Sequence, residues 1–150
     1  YDSGGLPEEE HWKRLETQRQ NGKKAEEKTV KHEKERLKLD HKFDDETLEK
    51  VKRISEDDTS AGYDIDSFNG DKYSIDRNIE VKCTTGKYPI FYWSENEIKK
   101  AQELGNQYFI YLWINFGKED ERLLPPIQDP PVPPPLGKQG PEGPPPPPAA

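Results

Sequence analysis

The sequence predicts an α/β (α+β) fold in which a mixed central sheet is flanked by helices. Residues 63–68 and 78–84 each alternate apolar with polar side chains, which is typical of half-buried strands. Residues 108–116 are almost continuously apolar and aromatic, and this pattern indicates a strand buried on both faces. Residues 94–104 have the start signal and composition of a helix. The predicted order is therefore helix, strand, two-stranded hairpin, short strand, helix and long buried strand.

The composition limits the size of the core. The chain has 150 residues, which is typical of one domain. Since 29% of the residues are hydrophobic and 35% are charged, we expect a packed core only between about residues 48 and 116. The net charge of −7 argues against a free-standing DNA binder, but a nuclease is not excluded because its metal site is itself acidic. The single cysteine, Cys83, excludes a disulfide framework and a cysteine-based zinc site, and we expect it to be a small buried residue.

The first helix is expected over residues 23–39, which are rich in good helix formers. Gly22 is expected to break the chain before it, and residues 1–21 are expected to form a polar, loosely ordered segment. Val30 and Leu37 lie one heptad apart and predict the docking face of the helix. Glu26 and Glu33 share this face. They are either carried toward the protein interior or belong to a solvated, charged helix.

Short elements are expected on both sides of the alternating strands. Asp44 or Asp45 is expected to start a short second helix, and residues 51–54 a short strand. Asn69-Gly70 predicts a hairpin turn between the two alternating strands. Residues 90–93 are expected to form a further short strand.

The helix after residue 93 carries the clearest local signal in the chain. Ser94 is the expected N-cap, and Glu97 completes a capping box three residues later. Gly105 is expected to end the helix.

The composition changes after Leu124. Thirteen of the fifteen prolines lie from Pro125 onward, so residues 132–150 are expected to form a disordered, proline-rich tail. Residues 127–130 are expected to dock as a final edge strand. The tail also has the composition of a ligand for SH3- or WW-type modules, although an inert linker is the favoured interpretation.

The two alternating strands carry the candidate site. In the first, Tyr63, Ile65 and Ser67 are expected to face one way, and Asp64, Asp66 and Phe68 the other. In the second, Glu80 and Lys82 point away from the core face formed by Ile79, Val81 and Cys83. A carboxylate beside Glu-x-Lys on a neighbouring strand can bind a divalent metal and polarise a water molecule. The structural alternative is a salt-bridged triad, in which Lys82 pairs with Asp64 or Glu80.

Asp64 followed by Glu80-x-Lys82, in this order of elements, resembles the PD-(D/E)XK nuclease superfamily, whose restriction-endonuclease-like core is αβββαβ. The surrounding residues are more specifically similar to the NO VEIN C-terminal domain family. The matching segments are Ala61-Gly62-Tyr63-Asp64-Ile65-x-Ser67-Phe68, Arg77-x-Ile79-Glu80-Val81-Lys82-x-Thr84, Ser94-x-Asn96-Glu97 and Tyr108-x-x-Tyr111. The resemblance covers residues 22–131 and leaves 1–21 and 132–150 outside the domain.

The resemblance implies catalytic roles for Asp64, Glu80 and Lys82, with Mg²⁺ or Mn²⁺ as the cofactor. It implies Glu26, Asp64 and Glu80 as the metal ligands. Glu26 is included among these ligands because residues 22–30 are similar to the helix that supplies an extra metal-binding glutamate in archaeal Holliday-junction resolvases. One departure is Tyr63, which stands where the superfamily has a proline before the aspartate.

The expected partners follow from the same resemblance. DNA is the expected substrate, and helicase, ATPase or restriction-type domains are the expected fusion partners. No apolar run reaches the length of a membrane span and no signal peptide is visible, so we expect no membrane partner and an intracellular location, cytoplasmic or, in a eukaryote, nuclear. The chain begins at Tyr1 and has no methionine, so a fragment of a longer protein is expected.

The leading functional hypothesis is a metal-dependent nuclease module that hydrolyses DNA phosphodiester bonds within a larger restriction or defence protein. The alternative is a catalytically inactive nuclease-like fold that binds nucleic acid or protein. A weaker hypothesis is a scaffold segment that recruits a partner through its polyproline tail. For Asp66, a solvent-facing role is favoured over an accessory metal ligand. For Lys87, Lys99 and Lys100, an ordinary surface role is favoured over phosphate contacts.

Overall fold

The computed structural model describes residues 7–54 and 59–132. In these residues the helices are α1 (Pro7–His41), α2 (Asp45–Leu48) and α3 (Glu95–Leu104). The strands are β1 (Lys52–Arg53), β2 (Ile65–Ser67), β3 (Arg77–Cys83), β4 (Tyr108–Ile114), β5 (Arg122–Leu123) and β6 (Ile127–Gln128). Residues 55–58 and the proline-rich tail beyond residue 132 lie outside the described residues. No helix of the described part is long and apolar enough to cross a bilayer.

The strands form one mixed sheet in the order β1-β2-β3-β4-β5, with β6 beside β5 on the outer edge of β4. β1, β2 and β3 pair antiparallel, whereas β3 and β4 are parallel. Parallel neighbours need a crossover connection, and α3 provides it. β5 and β6 each pair antiparallel with β4. The predicted mixed sheet flanked by helices is confirmed.

The two faces of the sheet carry separate apolar clusters. Ile79 and Val81 belong to a cluster with Ala25 and Leu37 of α1, which therefore covers one face. Ala101 of α3 packs with Tyr108 and Ile110 on the other face. β4 serves both clusters because its side chains alternate, so its prediction as a strand buried on both faces is confirmed.

Several local predictions are also confirmed. Asp44 caps α2 by accepting a hydrogen bond from the Thr47 N–H at 2.9 Å. The capping box of Ser94 and Glu97 is present at the start of α3. β2 and β3 pair antiparallel as predicted, although the connecting loop spans residues 68–76 and is longer than a two-residue Asn-Gly turn.

The prediction that Gly22 breaks the first helix is wrong. α1 begins at Pro7 and continues through Gly22 to His41. An interior glycine costs a helix only about 1 kcal/mol relative to alanine, and the residues on both sides are good helix formers. Residues 8–20 are exposed, so this first part of α1 adds little to the core.

Three further expectations are also corrected. Residues 90–93 form no strand: Ile90 and Tyr92 are exposed, and the segment leads directly into the N-cap of α3. Tyr63 packs with the α3 cluster although Ile65 packs with the α1 cluster, since β2 begins only at Ile65. Phe68 lies just beyond the end of β2 and packs with Ile65, not on the face of Asp64.

Candidate functional site

Asp64 lies immediately before β2, where the antiparallel ladder with β3 ends. Its backbone N–H donates to the Ile79 carbonyl at 2.8 Å, and its carbonyl accepts from the Ile54 N–H at 2.8 Å. Its carboxylate Oδ2 accepts from the Val81 N–H at 2.8 Å. The side chain therefore replaces a backbone partner at the end of the ladder, and this fixes the carboxylate beside β3.

Gly62 sets the path of the chain into this position. Its φ is +78°, and a Cβ there would lie 2.6 Å from the Lys100 Cβ on α3. Its carbonyl accepts a hydrogen bond from the Tyr108 hydroxyl at 3.0 Å. Only glycine therefore fits between the start of β2 and α3 without a shift of the backbone.

Glu80 and Lys82 lie on the same face of β3, as predicted from the alternation. Glu80 is buried and Lys82 is half-buried. Lys82 Nζ lies 3.3 Å from Glu80 Oε2. The carboxyl groups of Asp64 and Glu80 are close enough that each affects the pKa of the other. The structure thus brings Asp64, Glu80 and Lys82 together at the end of the β2–β3 ladder.

Glu97 is the member of this cluster that the sequence analysis missed as a site residue. Its Oε1 accepts hydrogen bonds from Lys82 Nζ at 2.8 Å and from the Ser94 N–H at 3.1 Å. One carboxylate oxygen therefore caps α3 and holds the lysine. The capping-box signal placed Glu97 in the first turn of α3, but no sequence signal connected that turn to Lys82.

The cluster carries an excess of negative charge at a buried location. Burial raises the pKa of the Glu80 carboxyl well above its usual value, and the neighbouring Asp64 carboxyl raises it further, while Lys82 opposes the change. Burial also raises the pKa of Asp64, although the hydrogen bond from the Val81 N–H acts to lower it. Burial acts to lower the pKa of Lys82, but the charge of Glu80 and the bond to Glu97 raise it overall. A bound cation would offset the cost of ionising these crowded, buried carboxyl groups.

Glu26 is not brought to the other predicted metal ligands. Its Oε1 lies 3.0 Å from Arg53 Nε, with which it forms an ion pair. Arg53 lies opposite Ile65 in the sheet, on the face covered by α1. Cys83 packs on the same face, and the charge of Glu26 helps to raise the pKa of its thiol, after the larger effect of burial. Glu80 and Lys82 point to the opposite face.

The donor set at Asp64 and Glu80 suits a hard divalent ion. Mg²⁺ is commonly held by one or two carboxylates, with water and substrate phosphate oxygens completing its shell. Among residues 7–54 and 59–132, no group of three or more His, Cys, Asp or Glu side chains is arranged to hold a metal. The chemistry of these two carboxyl groups therefore fits such an ion, whereas the predicted set of three ligands is not found in the described residues.

Lys82 lines a surface pocket of ≈ 430 Å³. The pocket lies between α1 and the chain that follows β3. Its lining combines polar residues, Gln18, Asn21, Thr84 and Thr85, with the aromatic residues Phe91 and Tyr92. Lys82 is the member of the cluster that lines this pocket.

Glu33 is buried, which excludes the interpretation of a solvated helix face for this residue. Its carboxylate accepts from Arg36 at 2.7 Å, from the Ser67 hydroxyl at 2.7 Å and from the Tyr111 hydroxyl at 2.7 Å. Tyr111 also accepts from Arg77 at 2.7 Å. The network joins α1 to β2 and β4, so its role is to hold the helix on the sheet that carries the site.

The remaining candidate residues lie around the cluster. Asp66 accepts a hydrogen bond from the Tyr63 hydroxyl at 2.8 Å. Lys100 pairs with Glu103 at 3.1 Å, and Lys87 and Lys99 are exposed. Tyr108 and Tyr111 are fully buried in the core.

Comparison with known families gives one match. The family model described as "Protein NO VEIN, C-terminal" matches residues 25–125, which is more than half of the chain. The matched region includes Asp64, Glu80, Lys82 and Glu97. No curated protein and no solved structure matches the chain.

Proposed function

Since the chain belongs to the NO VEIN C-terminal family, we propose that it is a metal-dependent nuclease module that hydrolyses DNA phosphodiester bonds. The observation that carries this proposal is the meeting of Asp64, Glu80 and Lys82, of which Lys82 lines a surface pocket. The same residues suggest membership of the PD-(D/E)XK nuclease superfamily. We further propose that the module is part of a larger restriction or defence protein, joined to helicase, ATPase or restriction-type domains.

Asp64 and Glu80 are the proposed ligands of Mg²⁺ or Mn²⁺. A bound divalent ion lowers the pKa of a coordinated water and neutralises charge on the attacked phosphate. The Val81 N–H orients the Asp64 carboxylate, and Glu97 holds the Lys82 side chain at the pocket. The Lys82 ammonium can then stabilise the negative charge that develops on the phosphate oxygens.

The second candidate is a catalytically inactive nuclease-like fold that binds nucleic acid or a protein. It is favoured by the ion pairs of Lys82 with Glu80 and Glu97, which satisfy the lysine without a substrate. This corresponds to the salt-bridged arrangement considered from the sequence.

Cleavage of plasmid and single-stranded DNA in Mg²⁺ or Mn²⁺ distinguishes the two candidates. The nuclease proposal predicts cleavage by the wild type and its loss in Asp64→Ala and Lys82→Ala. Lys99→Ala is the matched control, because this exposed lysine of α3 has no role in the cluster. A folded wild type that does not cut either substrate would favour the binding module. Equal cutting by all four proteins would indicate a contaminating nuclease.

A further inference from the structure

The chain between β3 and α3 carries an exposed surface that the proposed reaction does not use. Residues 86–92, named here the aromatic loop, form no helix or strand. Tyr88 is 64% exposed, Ile90 74% and Tyr92 80%. Single exposed apolar residues are common, but three so close together indicate a contact surface.

Both ends of the aromatic loop are fixed to the fold. At its start the Gly86 carbonyl accepts from the Asn115 N–H at 2.9 Å, and just before it the Thr84 carbonyl accepts from the Phe116 N–H at 3.0 Å. Beyond its end Ser94 caps α3. The exposed rings are therefore presented from an anchored base, which reduces the ordering cost of binding.

Phe91 connects the aromatic loop to the candidate site. Its ring centroid lies 5.7 Å from Lys82 Nζ and 6.5 Å from the Trp93 ring. Phe91 is half-buried, whereas Ile90 and Tyr92 on either side of it are exposed. Phe91, Tyr92 and Lys82 line the same pocket. Tyr92 therefore lies on the pocket that Lys82 lines, and Tyr88 lies four residues earlier in the same loop.

We propose that the aromatic loop binds single-stranded DNA, with unpaired bases stacked on Tyr88 and Tyr92 and the phosphodiester backbone led through the pocket to Lys82. This inference rests on the proposed nuclease function and names the substrate class of that site. Proteins that hold a single strand without reading its sequence combine aromatic stacking with positive charge along the backbone. The cations beside this loop are Lys82, near Phe91, and Lys87, near Tyr88.

The net charge of the molecule argues against binding of a duplex. In a duplex the base faces are stacked on one another, so a protein binds it mainly through phosphate contacts from a basic surface. This chain instead carries a net charge of −7. Stacking supplies affinity that does not depend on a broad positive surface. Lys87 adds one local cation, with its Nζ 5.2 Å from the Tyr88 ring centroid.

The test measures binding without cleavage. Fluorescence anisotropy of a labelled oligothymidylate, in EDTA, compares the wild type with Tyr88→Ala and Tyr92→Ala. The matched control is Tyr73→Ala, because Tyr73 is 86% exposed and Lys72 Nζ lies 5.2 Å from its ring, but it belongs to the loop between β2 and β3. All three tyrosines are exposed, so thermal unfolding of the variants should match the wild type.

We expect each loop variant to bind the single strand about 5- to 100-fold more weakly, which corresponds to the loss of one stacked base. Tyr73→Ala should bind as the wild type does, and a duplex of the same length should bind more weakly than the single strand. The inference is overturned if the wild type does not bind the oligothymidylate, if the duplex binds as tightly, or if Tyr88→Ala and Tyr92→Ala behave like Tyr73→Ala.

These outcomes are separate from those for the nuclease proposal. If the wild type binds the single strand through the aromatic loop but does not cut DNA, the proposed reaction is overturned and the binding surface remains. If metal-dependent cutting is unchanged in both loop variants, the proposed binding surface is overturned and the proposed reaction remains.

Discussion

Lys82 Nζ lies 2.8 Å from Glu97 Oε1, and the same oxygen accepts the N–H of Ser94 at the start of α3. The helix cap and the proposed catalytic lysine therefore share one acceptor. As a result, the position of Lys82 depends on how α3 is seated against the sheet.

A double-mutant cycle tests this link. Combining Glu97→Gln with Lys82→Met should give a coupling free energy of about 1 kcal/mol in urea unfolding, because the two charges are partly buried and hydrogen-bonded. The control cycle pairs Glu95→Gln with Lys82→Met, because Glu95 is an exposed carboxylate in the same first turn of α3. Glu95→Gln should change stability by less than about 0.5 kcal/mol and should add independently. Equal coupling in the two cycles would contradict the direct link.

Glu33 is predicted to be the most sensitive charged residue on α1. Glu33→Gln leaves the half-buried Arg36 guanidinium without its counter-charge and should lower the free energy of unfolding by about 3 kcal/mol. Glu35→Gln on the same helix is the control, since Glu35 is exposed, and it should change stability by less than about 0.5 kcal/mol. A Glu33→Gln variant as stable as this control would show that the network is not needed to hold α1.

The same network predicts a pH dependence. Burial acts to raise the pKa of Glu33, but the hydrogen bond and charge of Arg36, with Ser67 and Tyr111, lower it below the usual 4.5. A lowered folded-state pKa means that the ionised form stabilises the fold. This contribution is complete above pH 4.5 and is lost as the pH falls through the lowered pKa.

The measurement compares urea unfolding near neutral pH with unfolding below pH 4.5. The stability advantage of the wild type over Glu33→Gln should shrink on acidification. An advantage that stays constant or grows as the pH falls would contradict the direction of the shift.

Gly62 provides a test of how the site is positioned. Gly62→Ala must accept both a φ of +78° and a Cβ contact of 2.6 Å, whereas Gly117→Ala has a similar φ of +82° with no atom within 4 Å. We expect Gly117→Ala to cost about 1 kcal/mol and Gly62→Ala about 2–3 kcal/mol by urea unfolding. Since Asp64 follows two residues later, only Gly62→Ala should also weaken metal binding. Equal costs in stability would show that the contact with Lys100 relaxes freely.

The sequence predicted the elements whose signals are local. The alternation of Ile79, Val81 and Cys83 with Glu80 and Lys82 predicted β3 and its two faces. The Ser94 and Glu97 spacing predicted the start of α3. These patterns depend on backbone periodicity and on contacts within one helical turn.

The features that were missed depend on contacts between distant parts of the chain. Glu33 is hydrogen-bonded to Ser67 and Tyr111, which lie 34 and 78 residues further along. Glu97 reaches Lys82 across 15 residues and a change of element. Glu26 forms its ion pair with Arg53, which lies 27 residues further along, so no local pattern indicates the contact. The similarity of residues 22–30 to a metal-binding helix did not indicate it either.

Calorimetric titration with Mn²⁺ tests the central claim most directly. The account predicts that the wild type binds the ion, that Asp64→Ala binds at least about 10-fold more weakly, and that Glu26→Gln stays within about twofold of the wild type. Binding that is lost in Glu26→Gln would show that the ligand set extends across the sheet to α1. A folded wild type that does not bind Mn²⁺ would contradict the account, because Asp64, Glu80 and Lys82 would then form a structural cluster.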